Sequence, residues 1–252
     1  MNKYIYSGAG NTFVVLDVRN GIPEIDVQAL CENFSTDGLM LLKKSEGYDF
    51  AMDYFNSDGS FGMMCGNGGR CIVSFAKYLG IAPNSSEGIY RFIAPDGEHT
   101  AKILPDGNIC LKMKDVSEYA PSVDGGWFVD TGTRHYVKFV NDVEAVDVER
   151  EGRYYRSLEI FAPIGVNANF VQFITPDTLK VRTFEKGVEA ETMACGTGIT
   201  ASAIAAYLNG NSLTRYVIHA RNDILMVSFK PDNGVFNEVF LTGPAEMLRI
   251  VK

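Results

Sequence analysis

Two cysteines in this 252-residue chain stand where a thiol can do acid–base work. Cys65 opens the run Cys65-Gly66-Asn67-Gly68-Gly69-Arg70, and Cys195 opens Cys195-Gly196-Thr197-Gly198. Each precedes a stretch that reads as helix. Ile72, Phe75, Ala76 and Leu79 recur at helical spacing after the first, as do Ile199, Ala203, Ala206 and Tyr207 after the second. A thiol placed just before a helix lies near amide N–H groups that no preceding carbonyl takes, and at the positive end of the dipole. Both effects draw its pKa from about 8.5 toward neutrality. The glycines let a ligand approach the backbone, so the same amides can hold an anion. One such turn points to a nucleophile, a redox thiol or an anion site. Two of them point to one small ligand shared by two halves, with a sulfur on either side. That arrangement inverts a carbon centre: a thiolate removes a proton from one face and a thiol delivers one to the other. Helix starts aimed at the neighbouring carboxylate would stabilise it as it becomes an enediolate. The chemistry requires neither pyridoxal phosphate nor a metal.

The elements that must position these thiols repeat along the chain. The two cysteines lie about half the chain length apart, and the helices after them run toward stops at Gly80 and Gly210. Phe55-Asn56 precedes the first cysteine and Phe184-Glu185 the second. Strand-like runs follow each helix: Tyr90 to Ala94, Thr100 to Leu104 and Ile109 to Met113 in one half, Tyr216 to Ala220, Ile224 to Phe229 and Val235 to Leu241 in the other. Each half also begins with a strand beside a glycine turn, Thr12 to Asp17 after Gly10 and His135 to Val140 after Gly132. The order of these matches implies a duplicated α/β domain with a boundary near Ser117 to Gly126. The charge-rich run from Asp142 to Ser157 reads as a solvated helix or loop.

Composition narrows the alternatives. A net charge of −8 argues against a nucleic-acid binder, and no run of 18 apolar residues suggests a membrane span. The N-terminus turns glycine-rich by Ser7, too early for a signal peptide's apolar core, so the expectation is a cytoplasmic protein. Five cysteines at scattered spacing form no disulfide framework, and no CxxC pair marks a zinc site. Gly8-Ala9-Gly10-Asn11-Thr12-Phe13 lacks the third glycine of a dinucleotide fingerprint, and nothing after Cys71 completes a P-loop. A duplicated module that merely holds an anion is the non-enzymatic alternative; it has no use for two activated thiols.

Five segments together resemble the diaminopimelate epimerase family: Gly8-Ala9-Gly10-Asn11, Phe55-Asn56-Ser57-Asp58-Gly59-Ser60, Met64-Cys65-Gly66-Asn67-Gly68 with Arg70-Cys71, Gly165-Val166-Asn167-Ala168-Asn169-Phe170, and Glu191-Thr192-Met193-Ala194-Cys195-Gly196-Thr197-Gly198. The resemblance runs from Gly8 to Gly243-Pro244. It implies two pseudo-symmetric α/β domains, residues 1–117 and 118–242, each a mixed sheet wrapped around a central helix, with strand 243–252 returning to the first. It implies cofactor-independent interconversion of LL- and meso-diaminopimelate in lysine and cell-wall synthesis, by a homodimer. By position, Cys65 and Cys195 match the catalytic pair. Gly66, Asn67, Gly196 and Thr197 match positions holding the reacting carboxylate. Asn11, Asn56, Asn167 and Glu185 match contacts to the substrate's amino and carboxylate groups, and His135 matches a histidine beside the site that can tune a thiol. Cys71, six residues further along the helix, reads as a packing residue, and Cys31 and Cys110 read as core or strand residues.

Several positions depart from the family pattern. Lys186 stands where an Arg is expected, and a point charge on a flexible stem replaces a planar two-pronged donor. One extra residue occupies Val188-Glu189-Ala190, Thr133-Arg134 replaces Asn-Pro or Ser-Pro before His135, Thr12 replaces Asp, and Gly38 stands where some members carry Gln. These changes leave a racemase of another amino acid, such as glutamate or histidine, as an alternative, with Arg134 as a candidate replacement guanidinium.

Overall fold

The computed structural model describes residues 1–63 and 65–252; Met64, quoted in the first cysteine motif, lies outside the described residues. The chain divides into two compact units, Met1–Lys112 with Thr242–Lys252, and Met113–Leu241.

In the first unit, β1 (Lys3–Gly8) and β2 (Asn11–Asp17) form a hairpin, and α1 (Val27–Phe34) leads to β3 (Gly38–Lys43) and β4 (Phe50–Asn56). Then come α2 (Gly66–Tyr78), β5 (Ile89–Ala94), β6 (Gly97–Ile103) and β7 (Ile109–Lys112). The chain's last strand, Glu246–Val251, pairs antiparallel with β1. Pairing alternates along the sheet: β1–β2 antiparallel, β2–β3 parallel, β3–β4 antiparallel, β4–β5 parallel and β5–β6 antiparallel. Strand β2 is apolar on both faces because a helix covers each. Val14 and Leu16 meet Cys31 and the α1 side, whereas Phe13 lies near Gly68 of α2. The sheet curls around α2, which packs against β1, β2, β3, β6 and β7. Its residues Gly66 through Val73 are buried, with Phe75 and Ala76. It ends at Gly80, whose φ of +74° only glycine adopts at little cost.

The second unit repeats this order. After β8 (Tyr119–Pro121), β9 (Trp127–Asp130) and β10 (Arg134–Phe139) form the hairpin, and α3 (Val148–Arg156) precedes β11 (Asn167–Thr175) and β12 (Thr178–Glu185). The short β13 (Ala190–Thr192) leads into α4 (Gly196–Leu208), followed by β14 (Arg215–His219), β15 (Ile224–Asp232) and β16 (Val235–Gly243). Pairings again run antiparallel, parallel, antiparallel, parallel, antiparallel through β9–β10, β10–β11, β11–β12, β12–β14 and β14–β15. Helix α4 packs against β9, β10, β11, β12, β14 and β15. Its Ala201, Ala203, Ala205 and Ala206 combine high helix propensity with complete burial, and the buried hydroxyls of Thr200 and Ser202 are satisfied by the helix's own carbonyls, as a central helix requires.

The run from Asp142 to Ser157 contains a largely exposed helix, as expected, but one face of it is buried. Its helix α3 starts at Asp147, whose side chain accepts from the Arg150 N–H, and it buries Val148, Gly152 and Tyr155. Tyr155 stacks on Tyr136 with ring centroids 4.5 Å apart. A Cβ at Gly152 would fall 2.3 Å from that of Phe184, so this glycine sets the distance between helix and sheet. Charge density hid a one-sided apolar stripe only three residues wide. Among the described residues, no helix is long and apolar enough to cross a membrane.

Candidate active site

Cys65 is the N-cap of α2, with extended backbone (φ −103°, ψ 154°), and its Sγ accepts the Gly68 N–H at 3.2 Å. A cap normally uses an oxygen; here the sulfur takes that place, and a bond from an amide favours the thiolate over the thiol. The next residues are fixed by side-chain bonds. Asn67 Nδ2 donates to Asn11 Oδ1 at 2.6 Å, and Asn67 Oδ1 accepts from Arg70 Nη2 at 3.0 Å. Arg70 is fully buried and also donates to the carbonyls of Gly66 and Pro244. Gly8 allows the approach of β1, because a Cβ there would lie 2.7 Å from the Asn67 carbonyl oxygen. Asn56 ends β4, and its Nδ2 donates to Ser60 Oγ at 2.9 Å. Thus Asn11, Gly66, Asn67 and Cys65 gather at one helix start.

Cys195 is the N-cap of α4 in the second unit (φ −106°, ψ 107°). No amide caps onto its side chain; its Sγ instead lies 3.3 Å from Thr197 Oγ1. Thr197 is tied to the β9–β10 turn, its carbonyl accepting from Thr131 Oγ1 at 3.1 Å and its hydroxyl from Thr133 Oγ1 at 3.0 Å. Thr133 Oγ1 also lies 2.8 Å from His135 Nε2, and His135 Nδ1 lies 3.1 Å from Asn169 Nδ2. His135 is completely buried, and that burial pushes its pKa down to about 3, so it is neutral. It is therefore a fixed hydrogen-bonding group rather than a base near pH 7.

Glu185 ends β12, and Lys186 opens the turn that follows it. The Lys186 N–H donates to Asn167 Oδ1 at 2.8 Å, which joins the start of β11 to this turn. Glu189, at φ +59°, is held by Arg156 at 2.8 Å and by the Gly187 N–H at 3.1 Å. The Gly187 N–H and then the guanidinium keep its carboxyl below the usual range. The lengthened turn thus folds back on α3. Arg134, read as a candidate guanidinium, is otherwise engaged: it covers the Phe128 ring at 5.2 Å and donates to the Phe161 carbonyl.

The remaining cysteines separate from these two. Cys71 is fully buried and burial pushes its thiol up to about 12; Cys31 is buried on α1, and Cys110 lies on β7. None of the five forms a disulfide, and among the described residues no cluster of His, Cys, Asp or Glu could hold a metal. Sequence reading assigned no role to Thr133, Asn169 or Arg70. Each has one distant partner, Thr197 at 64 positions, His135 at 34 and Pro244 at 174, that its neighbours in the sequence do not reveal.

The family model for diaminopimelate epimerase matches residues 3–117 and 127–248. The diaminopimelate epimerase of Flavobacterium psychrophilum is 41% identical over 256 residues, covering 98% of both chains. That of Chlorobaculum tepidum is 41% identical over 252 residues, covering 95% of this chain and 96% of its own. Among solved structures, a PhzF-family phenazine biosynthesis protein of Bacillus anthracis aligns with a TM-score of 0.74 at 13% identity, over 100% of this chain and 98% of its own. A hydroxyproline epimerase of Agrobacterium vitis aligns at 0.67 and 13% identity, over 100% and 91%. These two likenesses establish the shared mixed α/β fold. With the family model spanning both cysteine-capped helices and full-length relatives at this identity, the chain belongs to the diaminopimelate epimerase family.

Proposed function

We propose that Cys65 and Cys195 are the acid and base with which this chain carries out the diaminopimelate epimerase reaction, an isomerisation that inverts one α-carbon between the LL and meso forms. One sulfur, as thiolate, takes the α-proton. The other, as thiol, returns a proton to the opposite face, and the roles exchange in the reverse direction. The observation that carries this reading is that each cysteine is the N-cap of the central helix of its own unit.

The obstacle is the weak acidity of a carbon next to a carboxylate. As the proton leaves, charge builds on the carboxylate oxygens. The first-turn amides of Gly66, Asn67, Gly196 and Thr197, with two helix dipoles behind them, supply fixed positive potential for that charge. Because these amides belong to packed helices, they need no reorganisation during the reaction. Asn11, Asn56 and Asn167 offer amide groups to the substrate's polar ends. Glu185 suits an ammonium, and Lys186 a remote carboxylate met as a point charge. The reading includes assembly as a homodimer in the cytoplasm, as the resemblance implies; light scattering on the purified protein checks the assembly.

The test is α-proton exchange from LL-diaminopimelate in D₂O, followed by NMR under reducing conditions. Cys65→Ala and Cys195→Ala should each lose at least about 10³-fold in turnover, the scale expected for removing an essential proton-transfer group. Thermal stability should change little. Turnover near the original rate in either variant would refute the pair.

A further inference from the structure

We propose that Thr133 is a positioning residue for Cys195: it completes a one-directional hydrogen-bond relay from His135 through Thr197 to the sulfur. The proposal rests on the reading of Cys195 as an acid–base group and adds how its proton is directed.

The direction follows from Asn169. Its Nδ2 faces the carbonyls of Tyr136 at 3.0 Å and Asn167 at 3.4 Å, which can only accept, so the amide nitrogen must be on that side. Its Oδ1 accepts from Thr183 Oγ1 at 2.9 Å, which fixes the other side. The same nitrogen therefore donates to His135 Nδ1. A neutral imidazole that accepts at Nδ1 carries its proton on Nε2, and this proton goes to Thr133 Oγ1. Thr133 then spends its own hydroxyl proton on Thr197 Oγ1, and Thr197 spends its own on Cys195 Sγ. Every hydroxyl proton points toward the sulfur.

Two consequences follow. The thiolate of Cys195 receives a hydrogen bond from Thr197. The thiol, finding that hydroxyl proton already aimed at it, does not donate in that direction and keeps its own proton for another acceptor. The ionisable members of the relay are Cys195 and His135, and burial holds His135 neutral.

Internal symmetry places a turn residue against the second helical residue in both units, with the bond running from Asn67 to Asn11 in the first and from Thr133 to Thr197 in the second. Thr133 follows Gly132 (φ +99°) in the β9–β10 turn, as Asn11 follows Gly10 (φ +89°) in the β1–β2 turn. Asn11 bonds the second residue after Cys65, and Thr133 bonds the second residue after Cys195. Thr133 is exposed, so replacing its side chain disturbs no packing.

The experiment measures the iodoacetamide alkylation rate of each cysteine at neutral pH by peptide mass spectrometry, in the full chain without substrate. Thr133→Val keeps the shape and removes the hydroxyl. It should slow alkylation of Cys195 by about threefold to tenfold, the scale of one neutral hydrogen bond, because Thr197 no longer needs to aim its proton at the sulfur, and leave Cys65 within about twofold. Thr133→Ser should restore the Cys195 rate, which a purely structural role for the threonine methyl would not allow. An unchanged Cys195 rate in Thr133→Val, an equal fall at both cysteines, or failure of Ser to restore it would overturn the relay. Undiminished turnover in Cys195→Ala would instead refute the acid–base reading, while the alkylation ratio continues to judge the relay.

Discussion

At the equivalent position of the two central helices stand Arg70 in α2 and Thr200 in α4, and both donate to the carbonyl of the first helical glycine. Arg70 Nη1 reaches Gly66 at 3.0 Å, and Thr200 Oγ1 reaches Gly196 at 2.9 Å. The two cysteine starts therefore share a bond in place but not in kind. The first is braced by a buried guanidinium that also grips Asn67 and Pro244. The second has no charged side chain on its helix and is braced from the turn of Thr131 and Thr133. The sulfurs differ accordingly: Cys65 accepts an amide, whereas Cys195 meets a hydroxyl. A duplication can thus conserve the position of a thiol while replacing most of what holds it.

The largest expected difference in stability comes from the two braces. Arg70→Met would remove the side-chain donor shared by the Gly66 carbonyl, Asn67 Oδ1 and the Pro244 carbonyl and should cost about 3 kcal/mol, whereas Thr200→Val should cost about 1 kcal/mol. Urea denaturation compares them. Equal losses would mean that the buried guanidinium is no more than a filler.

The glycines one turn into each helix differ next. A Cβ at Gly198 would lie 2.3 Å from Asn169 Oδ1 and 3.3 Å from His135 Cε1, both firmly held. A Cβ at Gly68 would meet Met40 Sδ at 3.2 Å and Cys65 Sγ at 3.4 Å, and a methionine yields readily. Gly198→Ala should lower stability by about 1–3 kcal/mol, and Gly68→Ala by less than about 1 kcal/mol. The same denaturation measurement decides, and the reverse ranking would show that the packing around Asn169 is softer than its bonds suggest.

A further difference concerns pH. The fold lowers the pKa of His135 from 6.5 to about 3, so it favours the neutral ring. The unfolded chain takes up this proton first as pH falls. Its stabilisation is thus fully present above pH 6.5 and is lost as pH drops toward 3. Between pH 6.5 and 4.5, wild type should lose stability faster than His135→Gln, by at most about 1.4 kcal/mol per pH unit. Parallel stability curves would mean that the ring is protonated without penalty.

What could be read from sequence was local. An N-cap is decided by a few adjacent residues, so Cys65 and Cys195 announced themselves through glycine spacing and the apolar period that follows. Phe55-Asn56 and Phe184-Glu185 were legible as matching positions ahead of the two cysteines, and they fall at the ends of β4 and β12. The bracing was not legible. Arg70 meets Pro244 across 174 positions, and Thr133 meets Thr197 across 64. Nothing near Arg134 indicated that its guanidinium would settle on Phe128 and the Phe161 carbonyl, rather than replace the guanidinium absent at Lys186.

The central claim, that two different groups handle the α-proton, is tested most directly by the early distribution of label. LL-diaminopimelate is converted in D₂O to a few per cent, and mass spectrometry measures deuterium separately in the meso product and in the remaining LL substrate. Two opposed thiols predict deuterium at the inverted carbon of the product, delivered by a solvent-exchanged thiol, while the recovered substrate retains hydrogen. Deuterium entering recovered substrate as fast as product would mean that one base serves both faces, and would contradict the account.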